Sequence, residues 1–593
     1  MANPLQNTAI VLGTLLALFP SHAQTAVKSR SNPAKSSAPA ASTYVGTQAC
    51  SRCHLEIANH YAKASMGHSL TQITAESLKT ISTPATFTDP KTNHQFTVEA
   101  KNGKLYQTES ETDENGKQLF LNAHQLEWII GTGENGFGAL LRRDNYLFQA
   151  PLSYYSRAAH WQLSPGYQNE ALSFNRAILP GCIYCHSGRP TPVANHPGQY
   201  APQPFTQTSV GCENCHGPGS AHVEAMGNGE SYEKGKDPTI VNPAHLTGKL
   251  SDDICMSCHQ TGDTRVLQPG KTYQDFRPGQ QLDKTVSIFQ IPPTRENPPQ
   301  DDHVEHYYSM SLSKCFRASV AQPEDKQMRC ITCHDPHVEP TAAEAPAWFN
   351  GKCLSCHKQQ SLPAIDASEP SAKPVHTATA NCISCHMPKR DVVVISHSSI
   401  TNHRILARPN EAFPEIAFQQ TTAAMPDLIH LNRESDNSPA PSALARLQAY
   451  ADLSKQKPQY TASWLKTLAE LETSTPNNAL VQTALGHREL QAHNLPQAIT
   501  HLKQALQLDP TQTEAYVDLS EALDQSGQPE EAITAQKQAI ALDPFVPALQ
   551  KTLVFRLING KHYEAAQAAM EHYLELFPED DFMRKMLSIA QQP

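Results

Sequence analysis

One five-residue pattern, Cys-x-x-Cys-His, occurs seven times in this chain of 593 residues and uses fourteen of its fifteen cysteines. Any fold of the chain therefore has to place two thiols and one imidazole together seven times. The cysteines of the seven motifs, in order, are Cys50 and Cys53, Cys182 and Cys185, Cys212 and Cys215, Cys255 and Cys258, Cys330 and Cys333, Cys353 and Cys356, and Cys382 and Cys385. The histidines that end them are His54, His186, His216, His259, His334, His357 and His386.

This pattern is typical of covalent haem attachment. Two thiols three positions apart can bond to the two vinyl groups of one porphyrin, and the histidine that follows reaches the iron. A lone Cys-x-x-Cys could instead be a redox dithiol or half of a zinc site. Neither alternative requires a histidine directly after the second cysteine, and here it follows every time. We therefore predict seven haem c groups, with these seven histidines as proximal iron ligands.

The spacing of the motifs predicts how the haems are arranged. Cys182 to Cys212, Cys330 to Cys353 and Cys353 to Cys382 are each 30 residues or fewer. So short a segment cannot fully enclose one porphyrin before the next begins. We expect neighbouring haems to lie in near contact and to form a path for electrons.

The distal ligands are less constrained, because the haem region holds many histidines outside the motifs. The strongest candidates are His222, His337 and His403. His222 and His337 each follow a motif closely, and His403 follows the last motif. Further candidates are His397, His68, Met66, His245 and His376. Two histidine ligands give a low potential and a methionine raises it, so Met66 would set the first haem apart.

Cys315 is the one cysteine outside the motifs. We expect a small buried residue there; a thiolate beside a haem and an intermolecular disulfide are the alternatives. Its neighbours Tyr307, Tyr308, His303 and His306 could line an iron with an open distal position. That would make the chain an oxidoreductase acting on a small nitrogen or sulfur compound. We favour packing of this cluster against a porphyrin, and catalysis stays an alternative.

The N-terminus predicts export. Residues 1–23 contain a short apolar run followed by Ser21-His22-Ala23, which is typical of a cleaved signal peptide. Residues 24–43 are rich in Ser, Ala and Pro and read as a flexible linker. No later stretch reaches membrane length, so the mature chain should have no integral membrane segment. We expect a periplasmic or otherwise secreted protein, and a net charge of −10 argues against nucleic-acid binding.

A second repeat occupies the C-terminal part of the chain. Ala498, Ala532 and Ala566 recur every 34 residues, and so do Pro510, Pro544 and Pro578 at helix ends. This period, with small residues at fixed positions, is the tetratricopeptide signature. We predict an all-α solenoid over residues 443–593, with a degenerate first repeat near Ala443. Stacked repeats form a concave surface that docks a protein or peptide.

The predicted fold class is mainly α with large irregular regions. A heptahaem domain covers residues 44–405, residues 406–442 form a linker, and the repeat solenoid follows. Within the first domain, residues of about 85–160 form a small β-rich insertion, because Asn102-Gly103 and Asn115-Gly116 mark hairpin turns between alternating segments. Elsewhere in this domain periodicity is poor, and we expect haem to form the core.

Several segments also resemble a known family. The stretch from Tyr44 to Gly67 resembles the start of a cytochrome c-552/4 domain, and Cys212 to His222 resembles the CHGPGxxH segment of its multihaem relatives. Cys330–His337 and Cys382–Lys389 match two further recurring segments. With the repeats, residues of about 44–590 are similar to bacterial multihaem cytochromes with C-terminal tetratricopeptide repeats. The resemblance implies a periplasmic electron carrier for redox partner proteins, with His222 and His337 as distal ligands. The CxxCK site of ammonia-forming nitrite reductases is absent from the sequence.

Overall fold

The computed structural model describes residues 42–167, 172–233, 236–299, 304–357, 381–391, 399–408, 410–433, 435 and 438–592. The predicted signal peptide, nearly all of the 24–43 segment, His303, His376 and His397 lie outside these residues. Among the residues described, no helix has the length and apolar character needed to cross a bilayer.

An antiparallel sheet dominates the first part of the chain. Its strands are β1 Leu70–Gln72, β2 Ala85–Thr88, β3 Gln95–Lys101, β4 Lys104–Thr112, β5 Gln118–Ile130, β6 Gly136–Arg143, β7 Tyr146–Gln149, β8 Leu152–Tyr155, β9 His160–Leu163 and β10 Arg176–Ala177. Their order is β10-β7-β6-β5-β4-β3-β2, with β1 beside β5, and β8 between β6 and β9. The Asn102-Gly103 turn joins β3 to β4, and both residues have positive φ, as a two-residue hairpin requires.

The prediction of a mainly α fold is wrong for this part of the chain, which has many strands. The sheet extends from β1 to β10, beyond the predicted insertion at about 85–160. The sequence does not reveal β1 and β10 because they have only three and two residues, too few for an alternating pattern. The sheet also has an apolar core of its own, which includes Val98, Leu105 and Phe148.

The cysteine motifs lie on short helices outside this sheet. These helices are α1 Thr47–Ser51, α2 Leu55–Tyr61, α3 Pro180–Tyr184, α4 Cys212–His216, α5 Ser220–Gly227, α6 Gly248–His259, α7 His306–Ser311, α8 Lys314–Ser319, α9 Cys330–Cys333, α10 Ala345–Cys356 and α11 Cys382–His386. Smaller sheets contain β11 Arg189–Pro192, β12 Tyr200–Gln207, β13 Thr264–Leu267, β14 Val286–Gln290, β15 Lys389–Asp391, β16 Ser399–Thr401 and β17 Ile429–His430.

Residues 406–442, predicted as a linker, contribute to the folded core. Strand β17 pairs with β14, and Leu428 is fully buried. The side chain of Asn432 donates to the Val286 carbonyl at 2.7 Å and accepts from the Ile288 amide at 2.9 Å. This segment therefore joins the cysteine region to the repeats as structured chain.

The C-terminal part is a stack of helix pairs. Its helices are α12 Ala443–Ser454, α13 Thr461–Ser474, α14 Ala479–Gln491, α15 Leu495–Leu508, α16 Thr513–Gln525, α17 Pro529–Leu542, α18 Pro547–Asn559, α19 Tyr563–Leu576 and α20 Asp581–Ala590. The predicted 34-residue period recurs in the starts of α14, α16 and α18. Close packing needs small residues: a Cβ at Gly486 would lie 2.4 Å from Leu502 Cγ.

Both ends of the solenoid pack on the rest of the chain. At its start, Ala445, Ala449 and Tyr450 of α12 join a core with Val266 and Phe289. Near its other end, Phe545 inserts beside Tyr146 and Phe148 of the sheet, with ring centres 5.1 and 5.2 Å away. Arg143 lies 4.5 Å from the centre of the Phe545 ring and donates to the Leu576 carbonyl.

We expect Phe545→Ala to remove the contact between the solenoid and the large sheet, because the Phe545 ring is 7 % exposed and belongs to the core of the sheet. The loss should be about 3–5 kcal/mol of unfolding free energy, measured by urea denaturation. Tyr563→Ala is the matched control; its side chain is 65 % exposed, and its effect should stay within about 0.5 kcal/mol. Equal effects of the two variants would contradict a role for Phe545 in anchoring.

The same interface should respond to pH through Glu579, which accepts a hydrogen bond from Asn175 at 2.7 Å. Burial, with the nearby charge of Glu109, raises the pKa of Glu579 to about 7, above the value of about 4.3 in an unfolded chain. Between these values the folded state binds more protons than the unfolded one, so stability should fall as pH rises from about 5 to above 7. Urea midpoints across this range should decline less in Glu579→Gln. Glu575→Gln, on exposed chain nearby, should keep the full decline; an unchanged decline in Glu579→Gln would refute the assignment.

Candidate functional site

Each described motif places its cysteines and histidine on one helical turn. The amide of His54 donates to the Cys50 carbonyl at 3.0 Å, and the same bond joins His334 to Cys330 at 3.1 Å. Residues at i, i+3 and i+4 lie on one face of such a turn. The two thiols and the imidazole of a motif therefore share a face, as attachment of one flat group requires.

Three motif histidines lie opposite a histidine from a distant part of the chain. The ring centres of His54 and His222 are 6.3 Å apart with planes inclined by 21°. His216 faces His337 at 6.0 Å and 19°. His334 faces His403 at 6.2 Å and 28°. The three strongest distal candidates from the sequence thus each stand near a motif histidine, in one recurring geometry.

Hydrogen bonds at Nδ1 orient several of these rings. His216 Nδ1 bonds the Val241 carbonyl at 2.8 Å, and His403 Nδ1 bonds that of Thr401 at 3.0 Å. His386 Nδ1 bonds the Leu406 carbonyl at 2.5 Å. Such partners fix the tautomer and leave Nε2 as the nitrogen that can bind a metal.

His222 has a carboxylate partner instead. Its Nδ1 lies 2.7 Å from Asp237 Oδ2. Burial raises the pKa of Asp237, but hydrogen bonds from Thr239 and His222 outweigh it, so the pKa falls below its ordinary value. An ionised carboxylate at this place makes the His222 ring a better electron donor.

Burial favours the neutral form of four motif histidines. It lowers the pKa of His186, His216, His259 and His334, and nearby imidazoles add to the effect at His216 and His259. Burial, together with His334, lowers the pKa of His403 to about 4. The neutral imidazole is the form that binds metals.

A fourth histidine pair was not foreseen. The ring of His306 lies 5.4 Å from that of His259 at 18°, and 4.0 Å from that of His403 at 18°. The sequence analysis placed His306 only in the alternative catalytic cluster. No fixed spacing from a motif could have identified it, because its position depends on how α7 packs against α6.

Thiols of different motifs also meet. Four pairs of thiols from different motifs lie close together: Cys50 with Cys212, Cys185 with Cys258, Cys255 with Cys330, and Cys353 with Cys382. The neighbouring Cys50 thiol lowers the pKa of Cys212 to about 6. Cys215 lies near Cys255, and Cys333 near Cys356. Cys53, Cys182, Cys356 and Cys385 are exposed. These contacts bring all seven motifs into one connected series.

Glu213, inside the third motif, holds the first pair of histidines in place. Its buried carboxylate accepts from the amides of Val45 at 2.9 Å, Gly46 at 2.7 Å and Gly219 at 2.8 Å. Gly46 precedes the helix that carries Cys50, and Gly219 precedes the helix that carries His222. One side chain therefore locks together the two segments that bear His54 and His222.

The remaining candidates lie elsewhere. Met66 and His68 belong to a single 3-10 turn, Ser65–His68. The next residue, Ser69, donates to the His186 carbonyl at 2.9 Å, which places this turn beside the second motif, while His54 of the first motif faces His222. His357 directly precedes the undescribed range 358–380, which holds His376, and His397 lies in the undescribed range 392–398.

The described members of the alternative catalytic cluster lie on α7 and α8. Tyr308 is 1 % exposed, Tyr307 packs edge-on against Phe316, and burial raises the pKa of Cys315. A small cleft with room for about one water-sized molecule lies beside His306 and His403, with Arg390 and Asn402 also in its wall. Within the described ranges, no group of three or more His, Cys, Asp or Glu side chains could hold a bare metal ion.

Comparisons with known proteins identify the C-terminal region. A tetratricopeptide-repeat family model matches residues 489–553, and no curated protein is significantly similar to the chain. Solved structures with some likeness include MamA, at 23 % identity over 23 % of this chain and 80 % of its own, with a TM-score of 0.21. Another is a thermophilic tetratricopeptide protein of Thermus thermophilus, at 21 % identity over 25 % and 90 %, with a TM-score of 0.20. The repeat assignment rests on the family match and the helix period, since these scores decide nothing.

Glu213→Gln should destabilise the protein by about 2–3 kcal/mol, because hydrogen bonds to a buried charged acceptor are lost and donors stay unsatisfied. Urea denaturation measures the change. Glu224→Gln, on an exposed position of α5, is the control and should leave the midpoint unchanged. A loss below about 0.5 kcal/mol in Glu213→Gln would argue against the locking role.

Proposed function

We propose that this protein is a periplasmic multihaem cytochrome that carries electrons along seven covalently bound haems and docks a protein partner on its tetratricopeptide repeats. The observation that carries the proposal is the recurring histidine pair. Three motif histidines each face a distal histidine at 6.0–6.3 Å between ring centres.

This spacing suits one metal ion between two imidazoles. A metal–histidine nitrogen bond of about 2.0–2.1 Å on each side separates the two nitrogens by about 4.1 Å. Each ring centre lies about 1.2 Å beyond its nitrogen, so the centres should be about 6.5 Å apart. A porphyrin supplies four nitrogens itself, so two protein ligands per iron complete the set.

The chain's own residues have three tasks in this proposal. The motif cysteines would hold the porphyrin, and the paired histidines would each supply one ligand to its iron. Hydrogen bonds such as those of His222 to Asp237 and of His216 to Val241 orient the rings. Haem bound there would supply an iron that accepts and releases one electron. At the sites of these three pairs the two histidines leave no place for a substrate, which favours a carrier over an oxidoreductase.

The contacts between motifs support a continuous path. Neighbouring thiols link the first motif to the third, the third to the fourth, the fourth to the fifth, and so on to the seventh. The second motif joins the fourth through Cys185 and Cys258. Electrons from a reduced partner protein would pass along this series to an oxidised one.

The solenoid suits a docking role at a fixed position. Its first helix packs on β13 and β14, and Phe545 packs on the large sheet. A protein bound on the repeats would therefore be held in a constant orientation relative to the motifs. We expect redox partner proteins to bind on this surface of the repeats.

Haem stoichiometry tests the proposal. Co-expression with a haem-attachment system should yield a haem-to-protein ratio of seven, by pyridine haemochrome and protein mass. The double variant Cys182→Ala/Cys185→Ala should yield six, because one attachment site is lost.

Cys315→Ser is the matched control, since it removes the cysteine that belongs to no motif; its ratio should stay at seven. A ratio well below seven in the natural chain would refute the proposal. So would iron that is mostly high-spin, because filled axial positions predict six-coordinate, low-spin haem.

A further inference from the structure

We infer that His306 is the distal ligand of the haem attached at Cys255 and Cys258, and that its ring links this haem directly to the one attached at Cys330 and Cys333. The inference rests on the proposed function. It adds a ligand that the motif pattern does not reveal and a defined contact between two sites.

The backbone holds His306 opposite His259. The residues that follow and precede them, Gln260 and Glu305, form an isolated antiparallel bridge. The Thr261 amide donates to the Val304 carbonyl at 2.9 Å. The Tyr308 amide donates to Gln260 Oε1 at 3.0 Å. Because these bonds fix both segments, the 5.4 Å separation of the two rings is set by the fold.

Four imidazole rings lie in a row, in which a short gap between ring centres stands between two longer ones. From His259 to His306 the ring centres are 5.4 Å apart, from His306 to His403 4.0 Å, and from His403 to His334 6.2 Å. Neighbouring planes are inclined by 18° to 28°. The two outer gaps are the longer ones and approach the spacing of two ligands on one ion. The middle gap is a van der Waals contact and leaves no room for a porphyrin.

A separate contact holds His403 against His306. The hydroxyl of Ser313, which follows α7, donates to the His403 carbonyl at 3.4 Å and accepts from the Ile405 amide at 2.9 Å. Ser313 is 1 % exposed. The segment of His403 is therefore tied to the helix that begins with His306, and the two rings meet as neighbours.

The test uses the purified holoprotein with His306→Ala, His306→Met and the control His160→Ala, whose side chain is exposed on β9. Haem attachment depends on the cysteines, so all variants should keep seven haems per chain. In His306→Ala, paramagnetic resonance should show one low-spin iron in seven replaced by a high-spin one. The ferrous protein should also bind one more carbon monoxide per chain than the natural protein.

His306→Met separates loss of a ligand from a folding defect, because methionine can still ligate iron. It should restore the low-spin state and raise the potential of one haem. Through the ring contact, both His306 variants should also alter the resonance signal of the haem at His334, and His403→Ala should alter that of the haem at His259.

Seven low-spin haems and unchanged carbon monoxide uptake in His306→Ala would overturn the inference while leaving the proposed function intact. Signal changes confined to the haem at His259 would overturn the linkage. A natural chain without haem would instead refute the proposed function itself. His160→Ala should match the natural protein in every readout.

Discussion

The opposed positions of three histidine pairs are the constraint that the fold of the cysteine region has to satisfy. His54 and His222, His216 and His337, and His334 and His403 each come from parts of the chain that are far apart in sequence. Closing such long loops costs conformational entropy, and the short helices that carry the motifs bury little apolar surface to offset it. The Glu213 carboxylate, the Gln260–Glu305 bridge and Ser313 hold these segments together. The hydrogen bonds of this region thus position the rings. A metal ion bound by both rings of a pair would hold the distant segments together most strongly.

The large antiparallel sheet and the solenoid are the two regular bodies of this structure. The antiparallel sheet has a core that includes Leu105, Leu141 and Phe148, all fully buried. The helix pairs of the solenoid close around small residues such as Ala498 and Ala532, which are fully buried as well. Neither body depends on the motifs for its apolar core. Phe545, which packs between Tyr146, Phe148 and Arg143, connects one body to the other.

Sequence reasoning succeeded where the pattern is local. The helical repeat, its start near Ala443 and the Asn102-Gly103 hairpin follow from periodicity and turn chemistry. Proximity to a motif also selected His222, His337 and His403, which the structure places opposite motif histidines; iron ligation there stays a proposal. What failed depends on long-range packing. β1 and β10 are too short to show alternation, β17 in the 406–442 segment is recognisable only by its pairing with β14, and His306 meets His259 only after α7 has packed.

Anchoring the solenoid at both ends has an evolutionary consequence. Tetratricopeptide arrays ordinarily lengthen or shorten by duplication or loss of whole repeats, because each repeat contacts only its neighbours. Here α12 is bound to β13 and β14, while Phe545 and Arg584 contact the large sheet. One more repeat inserted between α12 and Phe545 would move Phe545 and Arg584 away from the large sheet. The number of repeats is therefore tied to the distance between two fixed points, and diversification of this region has to proceed by substitution on the exposed helix faces.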